Sequence, residues 1–263
     1  MPVILRSRGT LLSCPNRVHR PDRPRTPSSR CTAASPDESL VVDKVLLAEG
    51  SRGEPVRAIR DAARSRGVRV ETASAHRVKV LAGNGRHDQG VLADVVAPRM
   101  APVEEFVADL GTRRGASVLV LDAVTNPANV GMILRSATAA GLEGVLVPRR
   151  GVPSIDPLVI KASAGVAFAA PVLRSATAAE GCATLRAGGF AVYGLAAGGE
   201  SLMDAELPER VALVLGNETD GLSADVGEHL DGTLSIPMFG GVESLNVASA
   251  GAVAAYEMLR RRR

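Results

Sequence analysis

ASVLVLDAVTNPANVGMILRSATAAG, residues 116 to 141, decides the fold. It opens on an unbroken apolar run over 116 to 124, turns through TNPANVG, and enters a helix over 130 to 141. A strand with no polar alternation is covered on both faces, which is the habit of parallel sheets wrapped by helices. The pattern recurs on either side. GVLVPR (144–149) and RVALVLGNE (210–218) read as further apolar strands. A helix is expected around DPLVIKASAGVAFAAP (156–171), then the region ATLRAGGFAVYGLAAG (183–198), and a last helix over SLNVASAGAVAAYEMLRR (244–261). The spacing predicts an α/β domain with a mostly parallel sheet over residues 113 to 263.

Upstream, a smaller α/β unit is expected over 37 to 97. Strands are read at 40–49, 68–74 and 90–96, an amphipathic helix at 54–67 and a short helix or turn at 76–83. Residues 98 to 112, with Pro98 and Pro102 before VEEFVADLG, read as a linker and the start of the larger domain. Residues 1 to 36 hold Pro15, Pro21, Pro24, Pro27 and Pro36 among Arg and Ser, so no regular structure is expected there.

The chain's 263 residues suffice for a real core, but aromatics are only 2% of it and Trp is absent, which disfavours base-stacking platforms. The net charge of +3 permits nucleic-acid binding without demanding it. Basic residues crowd the ends, from Arg6 to Arg30 and from Arg260 to Arg263; each tail is either a phosphate contact or a solubilising end. Cys14, Cys31 and Cys182 match neither a zinc site nor a disulfide framework, and Cys182 reads as a small buried residue of a helix. The four histidines have no metal spacing, so no metal is expected. No apolar run is long enough to span a membrane, and a reducing cytoplasm is the default location.

Three segments carry the chemistry. VALVLGNETDGLS (211–223) breaks from a strand into Gly216, Asn217 and Glu218, where α/β sheets bind ligands beyond strand carboxyl ends. A plain turn with a surface carboxylate is the alternative. SIPMFGGVESLNVASAGAVAAYEML (235–259) passes through Gly240 and Gly241 to Ser244, placed as a helix cap, and to Asn246, a poor helix former read just inside the helix. DAVTNPANVGMILRSA (122–137) sets Asp122, Asn126 and Asn129 on a turn and Arg135 on the following helix. Arg135 is either a snorkelling surface residue or a buried functional cation.

Together, and in this order, these segments resemble the SpoU/TrmH family of RNA ribose 2′-O-methyltransferases, of the SPOUT class. The resemblance runs from about residue 40 to the end. It implies a sheet whose C-terminal part forms a deep trefoil knot, with S-adenosylmethionine (SAM) held in the knot. It also implies which residues hold SAM: Gly194, Leu195 and Ala196; Leu215, Gly216 and Glu218; Ile236 and Met238; Ser244, Leu245 and Asn246. The catalytic residues it implies are Arg135, Asn129, Glu218, Ser244 and Asn246. Arg135 would be the base or the group that polarises the ribose hydroxyl. Its apolar neighbours suggest a partly desolvated head group that converges with Asn129 on one ribose. A guanidinium is a poor base, so it would need strong perturbation or act by polarisation. The 37–97 unit resembles the small RNA-binding domain of ribosomal RNA members, some of which confer antibiotic resistance. HDQGVLADV (87–95) inserts Asp88 into the family's wording, and CTAASPDESL (31–40) stands where a first helix is usual. Large-subunit ribosomal RNA is the expected substrate, transfer RNA or a non-catalytic RNA-binding role the alternatives, and a homodimer the expected assembly.

Overall fold

The computed structural model describes residues 4–7, 10–13, 41–82, 90–96 and 100–262. They group into two compact units, residues 1–98 with 155–161, and residues 99–154 with 162–263.

The first unit contains strands β1 (Ile4–Ser7), β2 (Thr10–Ser13) and β3 (Val41–Ala48), helix α1 (Glu54–Ser65), strand β4 (Arg69–Ala73), helix α2 (Ala75–Ala82) and strand β5 (Val91–Val96). Its sheet has the order β2-β1-β5-β3-β4. Leu46, Ala48, Ala73, Val78 and Leu92 form its core. The reading of 1 to 36 as irregular is corrected at two places. Ile4–Ser7 and Thr10–Ser13 pair antiparallel, and β1 adds in parallel to β5. Each strand carries two consecutive large apolar residues, and pairing satisfies a strand edge that would otherwise stand open. Residues 14–40, with Cys14 and Cys31, and His87 and Asp88 lie outside the described residues.

The second unit opens with strand β6 (Met100–Pro102) and helix α3 (Val103–Leu110), where a linker is expected from sequence. β6 is an edge strand paired with one neighbour, a position that accepts Pro102 because no ladder needs its missing N–H. Next come β7 (Ala116–Leu121), α4 (Pro127–Ala139) and β8 (Gly144–Leu146). Helix α5 (Pro157–Ala162) falls, but for its last residue, in the first unit, and the second resumes with β9 (Val172–Arg174), α6 (Ala178–Ala187), β10 (Ala191–Ser201), β11 (Arg210–Leu215), α7 (Ala224–Gly227), β12 (Gly232–Ser235) and α8 (Val247–Arg261). The helix expected over 156–171 is broken, because Ala164 (φ 54°) and Gly165 (φ 87°) leave helical space before a short 3-10 turn at Val166–Phe168.

The seven strands pair in parallel in the order β12-β10-β11-β7-β8-β9-β6. All six residues of β7 are buried, so its alternation serves two faces. Val118 and Val120 join Val103, Leu110, Cys182, Leu185 and Phe190 in the core beneath α3 and α6. Leu119 and Leu121 point the other way, where α4 and α8 pack on each other and on the sheet. Cys182 is fully buried, and burial pushes its thiol up to about 12, as suits a core residue. The small residues of α8 permit that packing: a Cβ at Gly251 would come within 3.0 Å of Leu215 and 3.2 Å of Ile133. In the stripe Ala248, Ala252, Ala255 and Leu259, Ala248 and Ala255 are buried within the chain and the other two half-buried.

The C-terminal arginines fold back. Buried Glu257 accepts hydrogen bonds from Arg260 Nε and Nη2 and from Arg261 Nε, each at 2.7 Å. Arg261 also donates to the carbonyls of Ala205 and Leu202, and Arg262 pairs with Glu143 and donates to Gly141 O at 3.0 Å. Arg261 and Arg262 are therefore clamps, neither a loose solubilising tail nor a free phosphate contact. The hydrogen bond from Arg260 holds the Glu257 carboxyl below its ordinary range. A depressed carboxyl stabilises the fold above the unfolded value, about 4.3, and that stabilisation fades as pH falls through the folded value. Melting temperature followed against pH should show the wild type's advantage over Glu257→Gln at pH 7, with the two curves converging below about pH 4.

Candidate functional site

The carboxyl ends of β11, β7 and β10 and the start of α8 enclose one site. β11 ends at Leu215 against β7, and the chain then doubles back: Asn217 N donates to Gly221 O at 2.8 Å, and Gly221 N to Asn217 O at 3.0 Å. Gly216 has no substitute there, since a Cβ would lie 2.5 Å from Gly221 backbone atoms. Asn217 fixes the turn on both sides. Its Oδ1 accepts from Thr219 N at 2.8 Å, and its Nδ2 donates to Ala123 O, beyond β7, at 2.9 Å. Asp122 Oδ2 accepts from Ser223 N at 2.7 Å, so this buried carboxylate anchors the far end of the same loop.

Glu218 projects from the turn and gathers two other elements. Its Oε1 accepts from Asn129 Nδ2 on α4 (3.0 Å), Asn246 Nδ2 (2.6 Å) and Val247 N at the first turn of α8 (3.2 Å). Asn246 Nδ2 also reaches Asn129 Oδ1 at 3.2 Å. Asn129, 3% exposed, thus has both its amide nitrogen and its amide oxygen engaged. Residues far apart in sequence, 129, 218 and 246, meet on one carboxylate oxygen.

Beside this cluster lies a cavity of about 310 Å³, lined by Leu195, Ala196 and Ala197, by Leu215 to Thr219 and Gly221, by Ser235, Ile236 and Met238, and by Glu243, Ser244, Leu245, Val247 and Ala250. Of the residues expected at SAM, the cavity wall includes Leu195, Ala196, Leu215, Gly216, Glu218, Ile236, Met238, Ser244 and Leu245. Gly194 stands behind the wall; a Cβ on it would meet Leu222 at 2.3 Å, so it serves packing. Asn246 is absent from the wall and belongs to the hydrogen-bonded cluster.

Two expectations change. The cap of α8 is Asn246, whose Oδ1 accepts from Ala248 N (2.9 Å) and Ser249 N (3.4 Å), while Ser244 is exposed in the preceding loop. Asn is among the best caps, and the misfit of Asn246 inside a helix disappears once the helix starts at Val247. Placing that start correctly would also have found Val247 and Ala250, which face the cavity from the first turn. Asn217, Thr219 and Ser235 were legible only as turn and strand-end residues.

The other change concerns Arg135. It is exposed, and its side chain makes no hydrogen bond or ion pair among the described residues. Six helical positions rotate a side chain by about 600°, roughly 240° net, so Asn129 and Arg135 leave α4 in different directions. Within one chain Arg135 makes no hydrogen bond to Asn129, and it is exposed where a partly desolvated residue is expected from sequence.

The cavity wall is mostly apolar and takes backbone from three loops, one of them the tight 216–221 turn that only a glycine at 216 allows. Among the described residues no cluster of His, Cys, Asp and Glu could hold a metal ion. No helix among them is long and apolar enough to cross a membrane.

Residues 116–256 match the SpoU rRNA Methylase family, and residues 33–101 match the RNA 2′-O ribose methyltransferase substrate-binding family. A 23S rRNA (guanosine-2′-O-)-methyltransferase RlmB of Xanthomonas campestris is 38% identical, over 84% of this chain and 89% of that protein. A putative TrmH family tRNA/rRNA methyltransferase of Staphylococcus aureus is 33% identical over the same shares. Among solved structures, the SpoU methyltransferase AviRb of Streptomyces viridochromogenes in complex with AdoMet superposes with a TM-score of 0.63 at 26% identity, covering 88% of this chain and 87% of that one.

Proposed function

This chain belongs to the SpoU/TrmH family of SAM-dependent RNA ribose 2′-O-methyltransferases, and we propose that its substrate is large-subunit ribosomal RNA. The observation that carries the catalytic reading is the convergence of Asn129 and Asn246 on Glu218 at the mouth of the cavity. SAM supplies a sulfonium methyl that is already activated. The chain's contribution is therefore orientation and exclusion of water, which in well-aligned reactions is worth several orders of magnitude.

In this reading Leu195, Ala196, Leu215, Gly216, Ile236, Met238 and Leu245 hold SAM by backbone and apolar contact. Glu218 positions Asn129 and Asn246, and Ser244 on the exposed loop orients the ribose. Arg135 contributes a guanidinium donor to the ribose hydroxyl or a neighbouring phosphate. Since its head group is exposed, the polarising role is favoured over that of a desolvated base. Knotted threading belongs to the same reading: α8 follows the loops that line the cavity and returns to pack on β11.

Ribosomal RNA is favoured because the similarity to the RlmB proteins extends through the N-terminal unit, which matches a substrate-binding family. We further propose a cytoplasmic homodimer. Exposed apolar side chains gather on the elements of this half of the chain: Met132 on α4, Tyr256 on α8, and Phe239 and Val242 in the loop between β12 and α8. An interface that covers them accounts for their exposure better than the small-residue stripe of α8, which the chain already buries in part. The test is incubation with labelled SAM and either 23S rRNA fragments or transfer RNA, followed by nuclease digestion and mass analysis. A 2′-O-methyl nucleotide in the ribosomal fragments is expected. Labelling of transfer RNA alone would overturn the substrate, and labelling of neither would overturn the enzymatic reading.

A further inference from the structure

We propose that Arg149 and Arg174 form a phosphate-binding step on the catalytic unit, which carries the RNA backbone toward the cavity at Glu218. The inference rests on the methyltransferase reading above and adds a surface to it. β8 and β9 lie side by side in parallel, and their extensions stay together past the strand ends: Arg149 N donates to Ser175 O at 3.0 Å and Arg150 N to Ala176 O at 3.1 Å. This pairing sets Arg149 beside the end of β9, where Arg174 is half-buried. Neither arginine side chain makes a hydrogen bond or ion pair among the described residues. The nearest carboxylate contact in the group is Glu180, 3.9 Å from Arg150, with both side chains mostly exposed. Burial, together with the positive charge of Arg149, holds the Arg174 guanidinium below its ordinary range. Two adjacent cations, one of them half-buried, with no carboxylate among the described residues paired to either, are complementary to a phosphodiester.

Position connects the pair to the chemistry. All strands of this sheet run parallel, so Arg149 and Arg174 stand on the same edge as Asn129 and Glu218. β8 and β9 are two and three strands from β11, roughly 10 and 15 Å along that edge. The loop after Arg149 also touches the site: the Cβ position of Gly151 lies 3.7 Å from the backbone of Ala123, whose carbonyl accepts from Asn217 beside Glu218. A strand of RNA with its ribose at Glu218 has its neighbouring phosphates within reach of this edge.

The test measures binding of the full chain to the 23S rRNA fragments by fluorescence anisotropy across a salt series. The variants are Arg149→Glu, which changes an exposed residue, and Arg174→Gln. Each should weaken RNA binding by about tenfold and lower the salt slope by about one, while SAM affinity and melting temperature stay near wild type. Unchanged affinity and slope in Arg149→Glu would overturn the proposal. So would a loss in Arg174→Gln that merely tracks its melting temperature while Arg149→Glu binds normally. Because binding is read apart from methylation, the two readings separate. Methylation by the wild type with arginine-independent binding rejects this surface alone, and arginine-dependent binding without methylation rejects the catalytic reading alone.

Discussion

Glu218→Ala should cost turnover about 10²-fold and weaken SAM binding as well, because one oxygen of this carboxylate ties together three elements. Its removal leaves Asn246 Nδ2 with only its bond to Asn129 Oδ1, frees the first N–H of α8, and takes the acceptor from the Nδ2 of Asn129, a residue only 3% exposed. An unsatisfied buried donor costs about 1–3 kcal/mol, and the open side of Glu218 places the loss at the low end, since water can enter. The larger effect is on geometry: the start of α8 and the 216–221 turn lose their common tether, and both line the cavity. Glu218→Gln is the discriminating companion. Its amide oxygen can still accept from the same donors, but a neutral acceptor is about half as strong as a charged one, so it should recover much of the SAM affinity and part of the turnover. SAM affinity by calorimetry and single-turnover rates on one RNA substrate read both effects. An Glu218→Ala protein with wild-type turnover would remove the cluster from the mechanism.

The larger unit was legible because its strands are buried on both faces, and burial of that kind writes unbroken runs such as VLVL at 118–121 and VALVL at 211–215. Helix α4 was legible in its body but not in its start, expected at 130: Asn126 is the cap and Pro127 the first position, so Asn129 stands inside the helix and not on the turn before it. What escaped depends on distance in sequence. Nothing local to Asn129 shows that its partners stand at 218 and 246, and nothing local to Arg261 shows that the carbonyls of Leu202 and Ala205 await it. Composition misled at the N-terminus, where prolines outweighed two apolar pairs that form β1 and β2. The cap of α8 was misplaced by two residues because Ser244 and Asn246 are both good caps, and only the tether from Glu218 to Val247 N decides between them.

Arg135→Ala should lower the single-turnover rate by orders of magnitude and leave SAM affinity near wild type. The separation follows from where the residue stands. It does not line the cavity, and among the described residues its side chain makes no hydrogen bond or ion pair that would hold α4, whose own cap is Asn126 and whose buried face is Val130, Ile133, Leu134 and Ala137. Deleting an exposed, unpartnered guanidinium therefore should leave the fold and the SAM site alone. What remains for it to lose is an interaction with RNA or with a second copy of the chain. If Arg135 binds the ribose or its phosphate in the transition state, Arg135→Lys recovers little, because an ammonium cannot reproduce the guanidinium fork. If instead Arg135 serves the dimer, the variant loses mass by light scattering, and activity falls in proportion to the dimer lost. Rate, SAM affinity, mass and melting temperature measured on the same Arg135→Ala sample distinguish these cases, and near-normal turnover in a well-folded dimer would refute a catalytic role. The exposure of Arg135 makes this test sharper than a buried residue would allow, since a large loss of rate could not be attributed to a disturbed core.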